Sequence, residues 1–135
     1  MPVRVFTLEE ANQLLPRVEA DLRWLHEMVQ RIVRTQDAVS VLDLLGAGEP
    51  ANPEHRDLLQ KRLELEEMVG EYNDRLEKLQ QIGCVVKDLN HGVVDFYGLK
   101  DGRLIFLCWR MGEPSVRFWH EINSGMMGRR PVSDL

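Results

Sequence analysis

Four side chains in the last third of the chain are of the types that bind transition metals: Asp95, Cys108, Glu113 and His120. A thiolate, an imidazole and carboxylates together suit zinc or another divalent transition metal. Cys108 and His120 fall in two strand-like segments joined by a short turn, so they would lie side by side if both faced the same way. The sequence therefore predicts a candidate metal site at these four residues.

Two other interpretations of these residues stay open. In one, Cys108 fills the core and His120 bonds to Asp95 or Glu113 in a structural network, which is the commoner situation in small sheets. In the other, Cys108 is a catalytic nucleophile and His120 its base, which requires a thiol pKa below the ordinary value. The sequence has no phosphate-binding loop and no G-x-G-x-x-G, G-x-S-x-G or H-E-x-x-H motif, so it does not indicate a reaction.

A second candidate site lies near the end of the chain. Gly125 and Gly128 precede Arg129 and Arg130, and Arg117 belongs to the last predicted strand. Glycines that expose backbone amides beside guanidinium groups can bind a phosphate or carboxylate. We predict a small anionic ligand at Arg117, Arg129 and Arg130, and the alternative is a flexible tail whose charges are simply hydrated.

Two long helices are predicted ahead of these sites. Thr7 and Glu10 have the spacing of a capping box, and apolar residues then recur at intervals of three and four up to about Leu45. Pro16 lies inside this pattern and predicts a kink near residues 12–16.

A linker at residues 46–52 separates this helix from a second one. The second helix is predicted over residues 53–82, with Asn52 as its N-cap and Gly83 as its stop. Because both helices carry the same apolar spacing and the linker is short, they should form an antiparallel hairpin over about residues 7–83.

The period of the sequence changes to that of strands after the second helix. Asp101-Gly102 is the dipeptide expected of a tight hairpin turn. The predicted fold class is therefore α+β: a long antiparallel helical hairpin followed by a small antiparallel β-meander of three or four strands, with the meander and tail over about residues 84–135. Residues 123–131 are predicted as loop. The predicted strands are residues 84–89, 93–97, 104–110 and 115–122.

The composition is typical of one globular domain, residues 1–135. Hydrophobic residues make up 44% and charged residues 29% of the chain, no apolar run approaches the roughly 20 residues of a membrane span, and the first residues lack an apolar signal core. We therefore expect a cytoplasmic protein with no membrane partner. In that compartment Cys84 and Cys108 would be free thiols, and a disulfide between them is the alternative. The net charge of −5 argues against a nucleic-acid partner.

Two functions from different classes are compatible with these features. The first is a small protein with a metal-binding or catalytic polar site on the β-meander. The second is a non-enzymatic interaction module in which the hairpin recruits a partner or a second copy of itself, and a homodimer is our prediction for the assembly. Apolar residues beside the helix seam would need cover from the sheet or from a second chain. These residues are Leu14, Trp24, Met28, Leu59 and Leu63.

Short stretches along the whole chain form a recognisable set: residues 6–12, 14–16, 86–88, 92–96, 107–109, 112–113, 119–120 and 128–129. With them the chain resembles a family of uncharacterised bacterial and archaeal proteins that is grouped only as a domain of unknown function. The resemblance runs nearly from end to end and implies no activity, substrate or cofactor. Members commonly have proline after the Asp-Phe pair, where this chain has Tyr97.

Overall fold

The computed structural model describes residues 2–135, and among these residues two helices are followed by five strands. This confirms the predicted α+β class. No helix among these residues combines the length and the apolar character that crossing a membrane requires. The elements are α1 (Leu8–Leu44), α2 (His55–Gln81), β1 (Cys84–Asp88), β2 (Val93–Lys100), β3 (Arg103–Arg110), β4 (Phe118–Glu121) and β5 (Arg130–Pro131), with short 3-10 turns at Met126–Gly128 and Val132–Asp134.

The chain divides into two compact units. The first, here called the sheet unit, contains the chain up to Arg23 together with Glu77–Leu135. The second, the hairpin unit, is Trp24–Leu76. That the two units fold together as one domain stays a prediction.

The helices of the hairpin unit run antiparallel. The Arg75 guanidinium lies 4.8 Å from the centre of the Trp24 ring, and Arg62 Nη2 lies 2.8 Å from Asp43 Oδ1. Trp24, near the middle of α1, thus lies beside Arg75, near the end of α2. Asp43, near the end of α1, lies beside Arg62, near the start of α2, and this order confirms the predicted hairpin. A buried cluster closes its turn end and consists of Leu42, Ala47 and Leu58.

Helix α2 begins at His55, two residues later than predicted. The Asn52 side chain accepts a hydrogen bond from the Glu54 amide at 2.8 Å, and the His55 amide donates to the Asn52 carbonyl at 3.0 Å. This four-residue turn occupies the backbone that the first helical turn would use, so the α-helical pattern starts only after it.

The start of α1 is the predicted capping box. The Thr7 amide donates to Glu10 Oε1 at 2.9 Å, and the Glu10 amide donates to Thr7 Oγ1 at 3.1 Å. Pro16 lies inside α1, which is continuous from Leu8 to Leu44. The bend expected at this proline stays a prediction.

The sheet is fully antiparallel, and its strands lie in chain order from β1 to β5. The predicted tight turn joins β2 to β3: Asp101 and Gly102 have φ values of 50° and 77°, as a two-residue turn with both residues in the left-handed region requires. Strand β2 was predicted to end at Tyr97 but continues to Lys100. The Tyr97 carbonyl accepts a hydrogen bond from the Phe6 amide at 2.7 Å.

Two predictions about the last third of the chain were wrong. Strand β4 starts at Phe118 rather than residue 115, because the Val116 amide donates to the Asn12 side chain at 2.7 Å and is therefore not part of the ladder. Residues 130–131, predicted as loop, form the edge strand β5, where Pro131 pairs with Phe118. A proline is tolerated at an edge because its missing N–H costs no ladder bond on the outer side.

The two faces of the sheet have different roles. The register places Phe96, Leu107 and Trp119 on one face, and the Phe96 ring meets Phe6 edge to face at a centroid distance of 5.2 Å. We call this the helix-side face. Alternation along the strands puts Asp95, Cys108 and His120 on the other face, here called the site face.

Candidate metal centre

The strand register brings three of the predicted ligands together. Asp95 lies directly opposite Cys108 in the β2–β3 pair. His120 lies opposite Phe106 in the β3–β4 pair, two residues along from Cys108 and on the same face. One ligand atom from each residue lies within 4.8 Å of the other two, and all three residues are buried.

One carboxylate oxygen of Asp95 has no strong hydrogen-bond donor. Oδ2 lies 3.1 Å from His120 Nε2, and both side chains are 2% exposed. Oδ1 is buried and no strong donor of the described chain reaches it, while the Cys108 thiol is a weak hydrogen-bond donor to the carboxylate and lowers its pKa. Leaving a buried polar atom unsatisfied costs roughly 1–3 kcal/mol, and more for a charged group. Such an atom beside a thiol and an imidazole therefore indicates a place where a cation would be stabilised.

The other nitrogen of His120 fixes the orientation of its ring. Nδ1 lies 2.8 Å from the Glu121 carbonyl oxygen, and because a carbonyl only accepts, Nδ1 carries a proton. Nε2 lies 3.1 Å from Asp95 Oδ2, so without a metal one proton is shared in this contact. When that proton leaves, the lone pair of Nε2 faces Asp95 and Cys108. Metal-binding histidines are typically held in this way, with the second nitrogen donating to a backbone carbonyl or carboxylate.

Burial sets the protonation of the other two groups. It raises the pKa of Cys108 to about 12, and the negative charge of Asp95 adds to the effect. Burial also raises the pKa of Asp95, although a hydrogen bond with Cys108 and the interaction with His120 act to lower it. At neutral pH Cys108 is therefore a thiol, and its pKa moves in the direction opposite to the one that the nucleophile interpretation requires.

Glu113, the fourth predicted ligand, lies outside this group. Its Oε1 accepts a hydrogen bond from Arg129 Nη2 at 2.6 Å and another from the Arg110 amide at 2.6 Å. The turn after β3 folds this carboxylate back onto the backbone of its own hairpin, so three of the four predicted ligands converge and the fourth neutralises an arginine.

The predicted anion-binding arginines have separate surroundings. The Arg129 guanidinium pairs with Glu113 and lies 4.1 Å from the centre of the Phe118 ring. The Arg130 guanidinium lies 5.3 Å from the centre of the Trp119 ring, on the helix-side face. Arg117 is exposed. An anion site at these three residues stays a prediction, and the charge of Arg129 is already balanced.

The two cysteines face opposite sides of the sheet. Cys84 is paired with Phe96, on the helix-side face, whereas Cys108 is on the site face. Both are free thiols. The alternative disulfide between them is therefore wrong.

A cavity of about 140 Å³ lies over the site. The sequence analysis predicted neither this cavity nor Lys87, which lines it.

A β-bulge shifts the register of β1 between Val86 and Asp88, and Lys87 is the extra residue. Its ammonium group lies 4.4 Å from the centre of the Phe106 ring, on the site face. No local sequence signal marks this bulge. The lining residues are Lys87, Val93, Asp95, His120, Ile122, Gly125 and Met126.

Comparison with known proteins agrees with the resemblance seen in the sequence. The model of one family, described as an uncharacterized conserved protein (DUF2203), matches residues 4–132. No curated protein and no solved structure matches the chain. Because the family match covers nearly all of its residues, the chain belongs to the DUF2203 family of uncharacterized conserved proteins.

Proposed function

We propose that Asp95, Cys108 and His120 bind one divalent transition-metal ion, with zinc as the first candidate. The observation that carries the proposal is a buried carboxylate, thiol and imidazole within 4.8 Å of one another, in which Asp95 Oδ1 has no strong donor and His120 Nδ1 is held by a backbone carbonyl. A thiolate and an imidazole favour zinc and similar ions over magnesium or calcium, which prefer oxygen ligands.

The cost of ionising Cys108 does not prevent binding. Burial raises its pKa from 9.0 to about 12, a shift of about three units that costs about 4 kcal/mol. Structural zinc sites bind with apparent free energies of about 10–16 kcal/mol near neutral pH. The expected affinity is therefore reduced but remains substantial, and the bound cation itself favours the thiolate.

The arrangement has the composition of an open site. Three protein ligands leave the fourth position of a tetrahedral ion free, as in catalytic rather than structural zinc sites. The cavity beside Asp95 and His120 supplies the space for that fourth ligand. The proposed role is therefore binding of a metal that can accept an additional ligand.

The experiment is a metal analysis with matched variants. Protein purified without chelators and loaded with zinc should retain one equivalent through gel filtration. Cys108→Ser and His120→Ala, which bind zinc more weakly, should lose it in that step while the helical circular dichroism stays unchanged. Cys84→Ser and His91→Ala remove the same residue types from other positions of the sheet unit and should leave the stoichiometry unchanged. Equal zinc content in wild type and Cys108→Ser would reduce the group to a structural hydrogen-bond network.

We also propose that the hairpin unit binds an apolar surface, with a second copy of the chain as the first candidate. Among the apolar residues beside the helix seam Met28 is buried, whereas Leu59 and Leu63, one turn apart on α2, are 49% and 50% exposed. At the end of α1, Leu44 is 87% exposed. Such a concentration of exposed apolar side chains is typical of interaction surfaces.

Sedimentation velocity tests this second proposal. Wild type should sediment as a dimer at micromolar concentration, and Leu59→Gln/Leu63→Gln should sediment as a monomer. Leu99→Gln, which alters an exposed leucine of the sheet unit, should behave as wild type. A monomeric wild type at high micromolar concentration would contradict the proposal.

We propose a cytoplasmic location as well. The two free, buried cysteines support it, because secreted proteins more often oxidise theirs to disulfides. Fractionation of cells that express the natural gene should recover the protein with soluble cytoplasmic markers, and recovery outside the cytoplasm would contradict this proposal.

A further inference from the structure

We propose that the cavity over the site binds a small monovalent carboxylate, which occupies the free position of the metal and is held by Lys87. This inference rests on the proposed metal site and adds the chemical class of its ligand. It is carried by the charge, the lining and the volume of the cavity.

Charge balance favours an anion with one negative charge. A divalent ion is neutralised by the Asp95 carboxylate and the Cys108 thiolate, and His120 contributes no charge when its Nε2 binds the metal. Lys87 lines the same cavity and acts electrostatically on Asp95. The loaded site therefore has one positive charge in excess, which a single carboxylate balances.

Lys87 is positioned for this role by the fold. It lies two residues after Val85, which pairs with Asp95, so the alternation of the strand places Lys87 on the site face, and the register shifts only at this residue. Its ammonium group packs against the Phe106 ring at 4.4 Å, and that ring lies 5.4 Å from the His120 ring, centroid to centroid. Lys87 and His120 thus contact the same aromatic ring and line the same cavity.

The lining and the size of the cavity limit the rest of the ligand. Val93, Ile122 and Met126 add apolar surface to the lining, beside the polar groups. A volume of about 140 Å³ is well below the roughly 300–1,000 Å³ of pockets that hold drug-sized ligands. A carboxylate with a short apolar chain fits both limits, whereas a nucleotide or a sugar phosphate is too large.

The test is a titration of the cobalt-loaded protein with propionate, followed by the d–d absorption of the ion and with cobalt content measured on the same sample. Propionate should change the spectrum saturably, and propionamide, which has the same shape without the charge, should bind at least about tenfold more weakly. Lys87→Met should keep one equivalent of cobalt and lose at least about tenfold in propionate affinity. Lys78→Met, which removes an exposed lysine of α2, should match wild type.

The outcomes distinguish failure of the carboxylate site from failure of the metal site. A cobalt-loaded wild type that does not respond to propionate, or a Lys87→Met variant that binds it as tightly as wild type, would overturn the carboxylate inference and leave the metal site standing. Failure of wild type to take up cobalt or zinc would overturn the metal site and the inference together.

Discussion

Two Asp–His pairs in the sheet unit have the same chemistry and opposite settings. At the β1–β2 turn, His91 Nδ1 lies 2.7 Å from Asp88 Oδ2, with the side chains 64% and 44% exposed. On the site face, His120 Nε2 lies 3.1 Å from Asp95 Oδ2, with both side chains 2% exposed. The shorter contact belongs to the exposed pair, which is not the candidate site, so distance alone does not identify a site.

The two pairs differ in burial and in the presence of a third possible metal ligand. Hydrogen bonds with His91 lower the pKa of the exposed Asp88, whereas burial raises the pKa of Asp95. Water can satisfy every remaining polar atom of the exposed pair. The buried pair has a thiol as its neighbour and a carboxylate oxygen that no strong donor reaches, and these features make it the candidate metal centre.

The largest expected difference between the pairs is in zinc affinity. His120→Ala removes a proposed ligand and should weaken zinc binding by at least about a hundredfold, whereas His91→Ala should change it by less than about twofold. Competition with a chromophoric chelator measures both variants. Equal losses in the two variants would remove the distinction drawn here.

The pH dependence of zinc affinity should identify the thiol. Because the pKa of Cys108 is about 12, zinc must displace one thiol proton throughout the neutral range, and affinity should rise about tenfold per pH unit from this group alone. In Cys108→Ser the slope should decrease by about one proton, whereas in Cys84→Ser it should stay as in wild type. Chelator competition between about pH 6.5 and 8.5 gives the slopes.

Neutralising the two aspartates should change stability in opposite directions in the metal-free protein. The raised pKa of Asp95 means that protonation stabilises the fold, an effect complete below the ordinary carboxyl pKa and lost as pH rises through the raised value. Near pH 7, Asp95→Asn should therefore raise the free energy of unfolding by about 1–2 kcal/mol.

The lowered pKa of Asp88 has the reverse sign, because its stabilisation is present above the ordinary carboxyl pKa and is lost as pH falls through the lowered value. Asp88→Asn should therefore lower the stability of the protein near pH 7. Denaturant titrations followed by near-UV circular dichroism measure both variants. Shifts of the same sign would show that burial does not distinguish the two carboxylates.

Among the four ligands predicted from the sequence, Glu113 has the smallest expected effect on zinc affinity. Glu113→Gln leaves the largely buried Arg129 without its counter-charge and should lower the free energy of unfolding by about 1–2 kcal/mol. Zinc affinity should change by less than about threefold, because Glu113 acts on Cys108 only through the electrostatic effect of its charge and makes no hydrogen bond with it. A loss as large as that of His120→Ala would make Glu113 a ligand after all.

The part of the site that the sequence made predictable depends on one turn. A two-residue turn at Asp101-Gly102 pairs Lys100 with Arg103, and counting back along both strands places Asp95 opposite Cys108. The helices were equally accessible, because their caps and apolar spacing are local signals.

The remaining features depend on tertiary contacts. The connection between β3 and β4 is long enough to permit several registers, so the sequence did not determine on which side Glu113 would lie. The Lys87 bulge and strand β5 exist only because neighbouring strands pair with them, and short irregular pairings of this kind leave no periodic pattern in the sequence.

X-ray absorption at the zinc edge of the zinc-loaded protein identifies the atoms bound to the metal. We expect one sulfur ligand at about 2.3 Å and nitrogen or oxygen ligands at about 2.0–2.2 Å. The sulfur shell should disappear in Cys108→Ser and persist in Cys84→Ser. A zinc shell without sulfur in the wild type, or a sulfur shell that survives Cys108→Ser, would contradict the assignment of Asp95, Cys108 and His120 as the metal site.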